Sequence, residues 1–157
     1  MLQLAHKKLE VYKISLDLVE EVYRLTKAFP KEEQFVLVTQ LRRAAISVCS
    51  NLAEGAARHS KPEKKRFYEI SRSSLVEVDT QIELSMALEY LKKNEIEKLE
   101  SFPGSVFRML SKMIGNLISE HNPHIPLSIF HYLAYYVRPP QHLRFFVPVE
   151  CSPHIAG

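Results

Sequence analysis

A chain of 157 residues and 18.2 kDa is long enough for one hydrophobic core and short for two. Its 46% hydrophobic and 25% charged residues are ordinary for a soluble globular protein, while four glycines and no tryptophan argue against a turn-rich β architecture. The net charge of +3 is too mild to establish an acidic partner by itself. Two cysteines, Cys49 and Cys151, show no zinc-like or CxxC spacing, which argues against a disulfide framework and makes a reducing cytoplasm the expectation.

The opening residues MLQLAHKKLEVYK hold no apolar run of signal-peptide length. The first helix is expected over about 9–29. Leu9, Tyr12, Leu16, Val19 and Tyr23 form one stripe at helical spacing, and Val11, Ile14, Leu18, Val22, Leu25 and Phe29 form its neighbour. Two adjacent stripes make the wide apolar face that a bundle helix requires. Pro30 then ends this helix or opens the next, and Glu32 and Glu33 suit the positive end of a helix dipole.

The second helix, 31–58, is expected to bury Leu37, Leu41, Ala44, Val48 and Leu52. It is rich in small residues, from Ala44 and Ala45 to Gly55, Ala56 and Ala57, which let another helix approach closely. That approach is either tight packing within one bundle or a contact between subunits. Cys49 falls on the apolar side, where an inert core thiol is expected.

The third helix begins where Ser60-Lys61-Pro62-Glu63 fits a capping box, with proline in the first turn. It is expected to run over 61–91. The fourth, 95–119, is expected to be capped at Asn94 with Glu97 in the reciprocal position. Ile96, Leu99, Phe102, Val106, Leu110, Met113 and Leu117 keep the helical period. Pro103-Gly104 interrupts it, and a proline inside a helix costs about 3 kcal/mol. A kink or break near 103 is therefore expected, with a fresh turn near Ser105. Four amphipathic helices joined by short corners make an all-α, up-and-down four-helix bundle over 1–120.

The remainder, 121–157, differs in character: six of the nine prolines and five of the seven histidines lie there. Its longest apolar stretch, Ile129–Val137, is interrupted by His131 and falls well short of the ~20 residues of a membrane span. The five histidines lack compact ligand spacing, so no metal or other cofactor is expected. Little regular structure is expected in this tail, beyond a short element near Ile129–Val137.

Three blocks within the bundle, Gln40-Leu41-Arg42-Arg43-Ala44-Ala45-Ile46-Ser47-Val48, Ser50-Asn51-Leu52-Ala53-Glu54-Gly55 and Ser73-Ser74-Leu75-Val76-Glu77-Val78-Asp79-Thr80-Gln81, come in an order and spacing that resembles one bacterial family. Leu9-Glu10-Val11-Tyr12 and Tyr23-Arg24-Leu25-Thr26 match the start of the same pattern. This is the four-helix bundle family first noticed in open reading frames of 23S rRNA intervening sequences. Accessory variability proteins of diversity-generating retroelements look like relatives. The resemblance covers residues 6–120. It implies a homo-oligomeric ring, often a pentamer, with no enzymatic activity assigned, and retroelement relatives that bind nucleic acid and partner a reverse transcriptase. The sequence departs from the pattern at Pro103-Gly104 and again after Glu120.

No HExxH, GxSxG, P-loop or GxGxxG motif occurs, and no Glu-x-x-His pair supplies a di-iron site. The densest charge lies between Arg58 and Arg72. There Arg58, Lys61, Lys64, Lys65, Arg66 and Arg72 stand against Glu63 and Glu69, a balance of +4. These six residues are the candidate nucleic-acid contacts, and assembly would multiply them into a positive rim. Among the motif residues Arg42, Arg43, Asn51, Glu54, Gly55, Ser74 and Glu77, structural or interface roles are expected. Glu54 and Arg58 have i,i+4 spacing for an ion pair, and one arginine of Arg42-Arg43 is expected to reach Glu77 or Asp79. Gly55 is assigned to close helix packing. Two functions stand: nucleic-acid binding through this corner, or a scaffold that recruits a protein such as a polymerase.

Overall fold

The computed structural model describes residues 4–119, which form an all-α four-helix bundle. The helices are α1 (Glu10–Leu25), α2 (Leu37–Ala57), α3 (Lys61–Ala87) and α4 (Glu97–Ser119). Each packs on its neighbours in sequence, and α4 closes the bundle against α1. The expectations for 121–157, including its histidines, lie outside the described residues.

Leucine and valine at helical spacing supply the centre. Leu18, Leu41, Leu52, Leu75, Leu99 and Leu110 are fully buried together with Val22, Val38, Val48, Val78 and Val106. At about 1.5–3 kcal/mol for each such side chain, this cluster outweighs any single local preference in the chain. Of the two α1 stripes, the one through Val11, Leu18, Val22 and Leu25 faces the core. The other ends in solvent at Leu16 and Tyr23. The apolar face of α1 is narrower than its composition suggests, because the helices that chiefly pack on it are α2 and α4.

Several boundaries differ from the expected ones. α1 stops at Leu25, where Thr26–Ala28 tightens into a 3-10 turn and Phe29 becomes extended. Lys31–Phe35 is a separate 3-10 turn, and α2 starts only after Val36 leaves helical geometry. α3 ends at Ala87, four residues before Leu91. Its end is a Schellman motif: Tyr90 N–H donates to the Ser85 carbonyl and Glu89 N–H to that of Met86. Glu89 takes the left-handed position at φ 60° that glycine usually fills. The Tyr90 ring then packs on Phe29, and its hydroxyl donates to Glu33 at 3.2 Å.

The expected cap at Asn94 is also displaced. Asn94 lies inside a 3-10 turn, Lys93–Glu95, and the Glu95 carboxylate accepts from the Lys92 N–H at 2.8 Å. The helix that follows is unbroken through Pro103, so no fresh turn starts at Ser105. The physical reason is a matter of size. Proline removes one hydrogen bond and costs about 3 kcal/mol. Leu99, on the turn before it, and Val106 and Leu110, on the turns after it, are each buried to 1% exposure or less. Their combined burial, at about 1.5–3 kcal/mol each, holds the helix through the defect.

Candidate nucleic-acid interface at the corner between α2 and α3

The corner is built by three local choices. Arg58 turns extended (φ −73°, ψ 142°) and stops α2. Ser60 caps α3, its hydroxyl accepting from the Glu63 N–H at 3.4 Å, with Pro62 in the first turn where its missing donor costs nothing. Gly55 lets the helices meet: a Cβ there would lie 2.7 Å from Tyr68 Cε1 and 3.1 Å from Phe67 Cβ. The expected packing role of Gly55 is therefore a steric fact of the fold.

Behind the corner a polar seam joins α2 to α3. The Ser47 and Ser74 hydroxyls are 2.8 Å apart, and Ser71 Oγ donates to the Val48 carbonyl at 2.8 Å. Asn51 donates to both the carbonyl and the hydroxyl of Ser47. Asn51 and Ser74 thus take part in the seam between α2 and α3. Ser47, the partner of both, and Ser71, which bonds the Val48 carbonyl, stood in the sequence only as small polar residues. Ala44, Ala45 and Gly55 are buried inside the bundle, which assigns these three small residues to internal packing.

The six candidate cations do not share one environment. Arg58 is bonded to Glu54, as the i,i+4 spacing predicted, and lies 4.8 Å over the Phe67 ring. Lys65 pairs with Glu69 at 3.4 Å, with both side chains well exposed. Arg72 turns away from the corner toward α4, 3.3 Å from Ser111 Oγ and 5.6 Å over the Phe107 ring. Lys61 and Arg66 are exposed and Lys64 half-buried. The side chains of Lys64 and Arg66 make no hydrogen bond or ion pair among the described residues. The corner thus offers solvent a compact set from Lys61 to Arg66, with Arg58 and Arg72 engaged in the bundle itself.

One expectation is overturned at Arg42-Arg43. Neither reaches Glu77 or Asp79. Arg42 points the other way, to α1, where its Nε donates to Thr26 Oγ1 at 2.8 Å and its guanidinium lies 4.7 Å over Tyr23. Arg43 is exposed without a partner among the described residues, and Glu77 accepts from Gln81 instead. Helical geometry decides this. Arg42 sits on the flank of α2 next to α1, and Arg43, about 100° further round the helix, points to solvent.

A second polar site escaped sequence reading. Glu21 on α1 is 2% exposed, with Arg24 at 2.6 Å and Lys98 of α4 at 3.4 Å. Arg24 also donates to the Glu95 carbonyl, so the group ties α1 to the start of α4. The Arg24 hydrogen bond holds the Glu21 carboxyl below the ordinary carboxylate value, against the opposing pull of burial. The one available signal was position: Glu21 falls on the buried stripe between Leu18 and Leu25. Cys49 is core, as expected, and burial pushes its thiol up to about 11, so it stays protonated.

Among the described residues no three His, Cys, Asp or Glu side chains gather where a metal ion could sit, and no helix is long and apolar enough to cross a membrane. A family model described as 23S rRNA-intervening sequence protein matches residues 7–112. A solved structure from Bacteroides thetaiotaomicron VPI-5482, described as a protein with unknown function from the S23 ribosomal protein family, has the same fold. Its TM-score is 0.61 at 21% identity, covering 66% of this chain and 97% of that chain. Identity at that level bears on the fold alone. Nothing among curated proteins matches.

Proposed function

The chain belongs to the 23S rRNA-intervening sequence protein family, and from that premise we propose that it is a non-enzymatic, cytoplasmic accessory protein that binds the nucleic-acid backbone through the α2–α3 corner. The observation that carries this reading is Lys64 and Arg66, two cations without a carboxylate partner, inside a segment of net charge +4. Lys65 joins them at little cost, because an exposed i,i+4 pair such as Lys65–Glu69 holds it by only about 0.3–0.5 kcal/mol. The corner has no groove-reading helix with Arg and Asn at base-contact spacing, so the contact is to phosphate or to shape, in RNA or DNA. Assembly into a ring, as the family resemblance implies, would gather several corners on one rim and strengthen a contact that is weak in one subunit.

The salt dependence tests it. If Lys64, Lys65 and Arg66 each neutralise one phosphate, log K falls with log salt at about −0.9 per contact, a roughly fortyfold loss of affinity between ~50 and ~200 mM. Changing the three to glutamate should abolish binding of a labelled single- or double-stranded probe at low salt while leaving the helical circular dichroism unchanged. Equal binding by that variant would remove the proposal.

The second reading, a protein scaffold, draws on the opposite end of the α2–α3 hairpin. Phe35 and Val36 are 91% and 60% exposed there, and Leu84 and Leu88 of α3 are about half exposed. Co-purification with a partner that survives nuclease and high salt favours the scaffold. Loss under either treatment favours nucleic acid.

A further inference from the structure

The end of the bundle opposite the basic corner combines an apolar patch with an excess of carboxylates. Register brings the two together. Ser47 meets Ser74, so Leu37, ten residues before Ser47, stands level with Leu84, ten after Ser74. Ser74, Gln81 and Leu88 share one row at heptad spacing on the flank of α3 that faces α2, and Phe35 and Val36 lead into α2 beside it. Phe35 stands almost wholly in solvent, and Val36, Leu84 and Leu88 are about half exposed or more. A single exposed apolar residue is common, but four at one end mark a surface with a use. The Phe35 ring adds nothing to the core, yet the turn that carries it is fastened at three points. The Thr39 hydroxyl donates to the Gln34 carbonyl at 2.6 Å, the Leu37 N–H to one Glu33 carboxylate oxygen at 3.3 Å, and the Tyr90 hydroxyl to the other at 3.2 Å. A turn held in this way presents its aromatic side chain to a partner with little further ordering.

Charge decides the kind of partner. Over Lys31–Gln40 and Ser73–Leu91 one cation, Lys31, stands against Glu32, Glu33, Glu77, Asp79, Glu83 and Glu89, a balance of −5. None of these carboxylates has an ion-pair partner among the described residues. Glu33 and Glu77 accept only from neutral donors, which leaves their charge in place. Lys92 and Lys93 come only beyond Leu91, in the turn that leads to α4. We propose that this end of the bundle docks a cationic amphipathic helix of a different protein, its apolar anchors on Phe35, Val36, Leu84 and Leu88 and its lysines or arginines against the surrounding carboxylates. An acidic partner would set like charges side by side, and a purely apolar one would leave the carboxylates unanswered. Among the described residues all regular structure is helical, so no sheet edge can take an added strand. A helix with anchors one turn apart matches Leu84 and Leu88, themselves one turn apart.

The inference names a partner class for the scaffold reading and rests on that reading; it is independent of the nucleic-acid reading. The probe is a labelled peptide of about 18 residues, long enough to be helical, with leucine on one face and lysine on the other. A matched peptide carries glutamate in place of lysine. In fluorescence anisotropy with the full chain, the lysine peptide should bind and the glutamate peptide should not. Phe35→Ser with Leu88→Ser and, separately, Glu32→Lys with Glu83→Lys should each weaken binding by roughly tenfold or more. Glu10→Lys with Glu20→Lys, the same change of net charge placed on α1, should retain it, and so should the corner variant with Lys64, Lys65 and Arg66 changed to glutamate. Phe35, Leu88, Glu32 and Glu83 are all exposed, and circular dichroism checks that each variant is folded; should the serine pair unfold, Phe35→Ser alone carries the same test. Equal binding of the glutamate peptide, or an equal loss in the α1 control, overturns the cationic class and leaves the scaffold reading standing. No binding of the lysine peptide, or binding that survives both patch variants, overturns the docking site, and co-purification then judges the scaffold reading by itself. A wild-type assembly that Phe35→Ser disperses in sedimentation velocity makes a second copy the occupant and also overturns the proposal.

Discussion

Replacing Gly55 with alanine sets two effects of known sign against each other. Inside a helix, alanine is favoured over glycine by about 0.5–1 kcal/mol because it loses less backbone entropy on folding. At Gly55 the added methyl would lie 2.7 and 2.8 Å from two carbons of the Tyr68 ring and 3.1 Å from Phe67 Cβ. Tyr68 is only 5% exposed, and Phe67 Cβ moves only with the α3 backbone. Overpacking of this kind costs about 1–3 kcal/mol. The packing term exceeds the propensity term, so Gly55→Ala is expected to destabilise by roughly 0.5–2 kcal/mol. Gly104 is the internal control. It too lies within a helix, but the nearest atom to its added Cβ is the Arg108 guanidinium tip at 3.4 Å, the end of a flexible side chain. There the propensity term stands alone, and Gly104→Ala should stabilise by about 0.5–1 kcal/mol. Urea unfolding followed by far-UV circular dichroism measures both changes on one scale. If both alanines stabilise alike, α2 and α3 separate at no cost, and the close approach at Gly55 is not what holds the corner.

Two further changes probe elements that the sequence did not reveal. Glu89→Gly puts the preferred residue into the left-handed position that ends α3 and should raise stability by about 0.5–1 kcal/mol, read as a rise in Tm of a few degrees. An unchanged or lower Tm would mean that Glu89 makes a compensating interaction. Glu21→Gln should destabilise at neutral pH by about 1–2 kcal/mol; the loss is modest because Arg24 and Lys98 are themselves 57% and 68% exposed and can return to water. The Glu21 carboxyl has its folded value below 4.5, so its contribution is complete above the unfolded value and disappears as pH falls through the folded one. The stability gap between wild type and Glu21→Gln should therefore be constant near neutrality and close as pH falls through the lowered Glu21 value. A gap that persists in strong acid would assign the loss to packing and not to charge.

The sequence by itself determined the four helices, the leucine and valine positions that meet at the centre, the Ser60 cap with Pro62 in its first turn, and the Glu54–Arg58 pair. Each is governed by spacing within one segment, and spacing is what a sequence displays. It also placed the cations from Arg58 to Arg72 at one corner, since a helix hairpin brings its own turn residues together. What it could not decide was direction across helices. Arg42 and Arg43 are identical in type and adjacent, yet one bonds to Thr26 and the other faces solvent, because the choice depends on where α1 lies. Arg72 was grouped with the corner by proximity in the chain, and α4 claims it through Ser111 and Phe107. Pro103 looked like a break, and the buried residues on either side of it outweigh one lost hydrogen bond. Glu21 could enter the interior only because Arg24 and the start of α4 meet it there. In each case local preference amounts to a few kcal/mol, and the tertiary contacts made with distant residues are as large or larger.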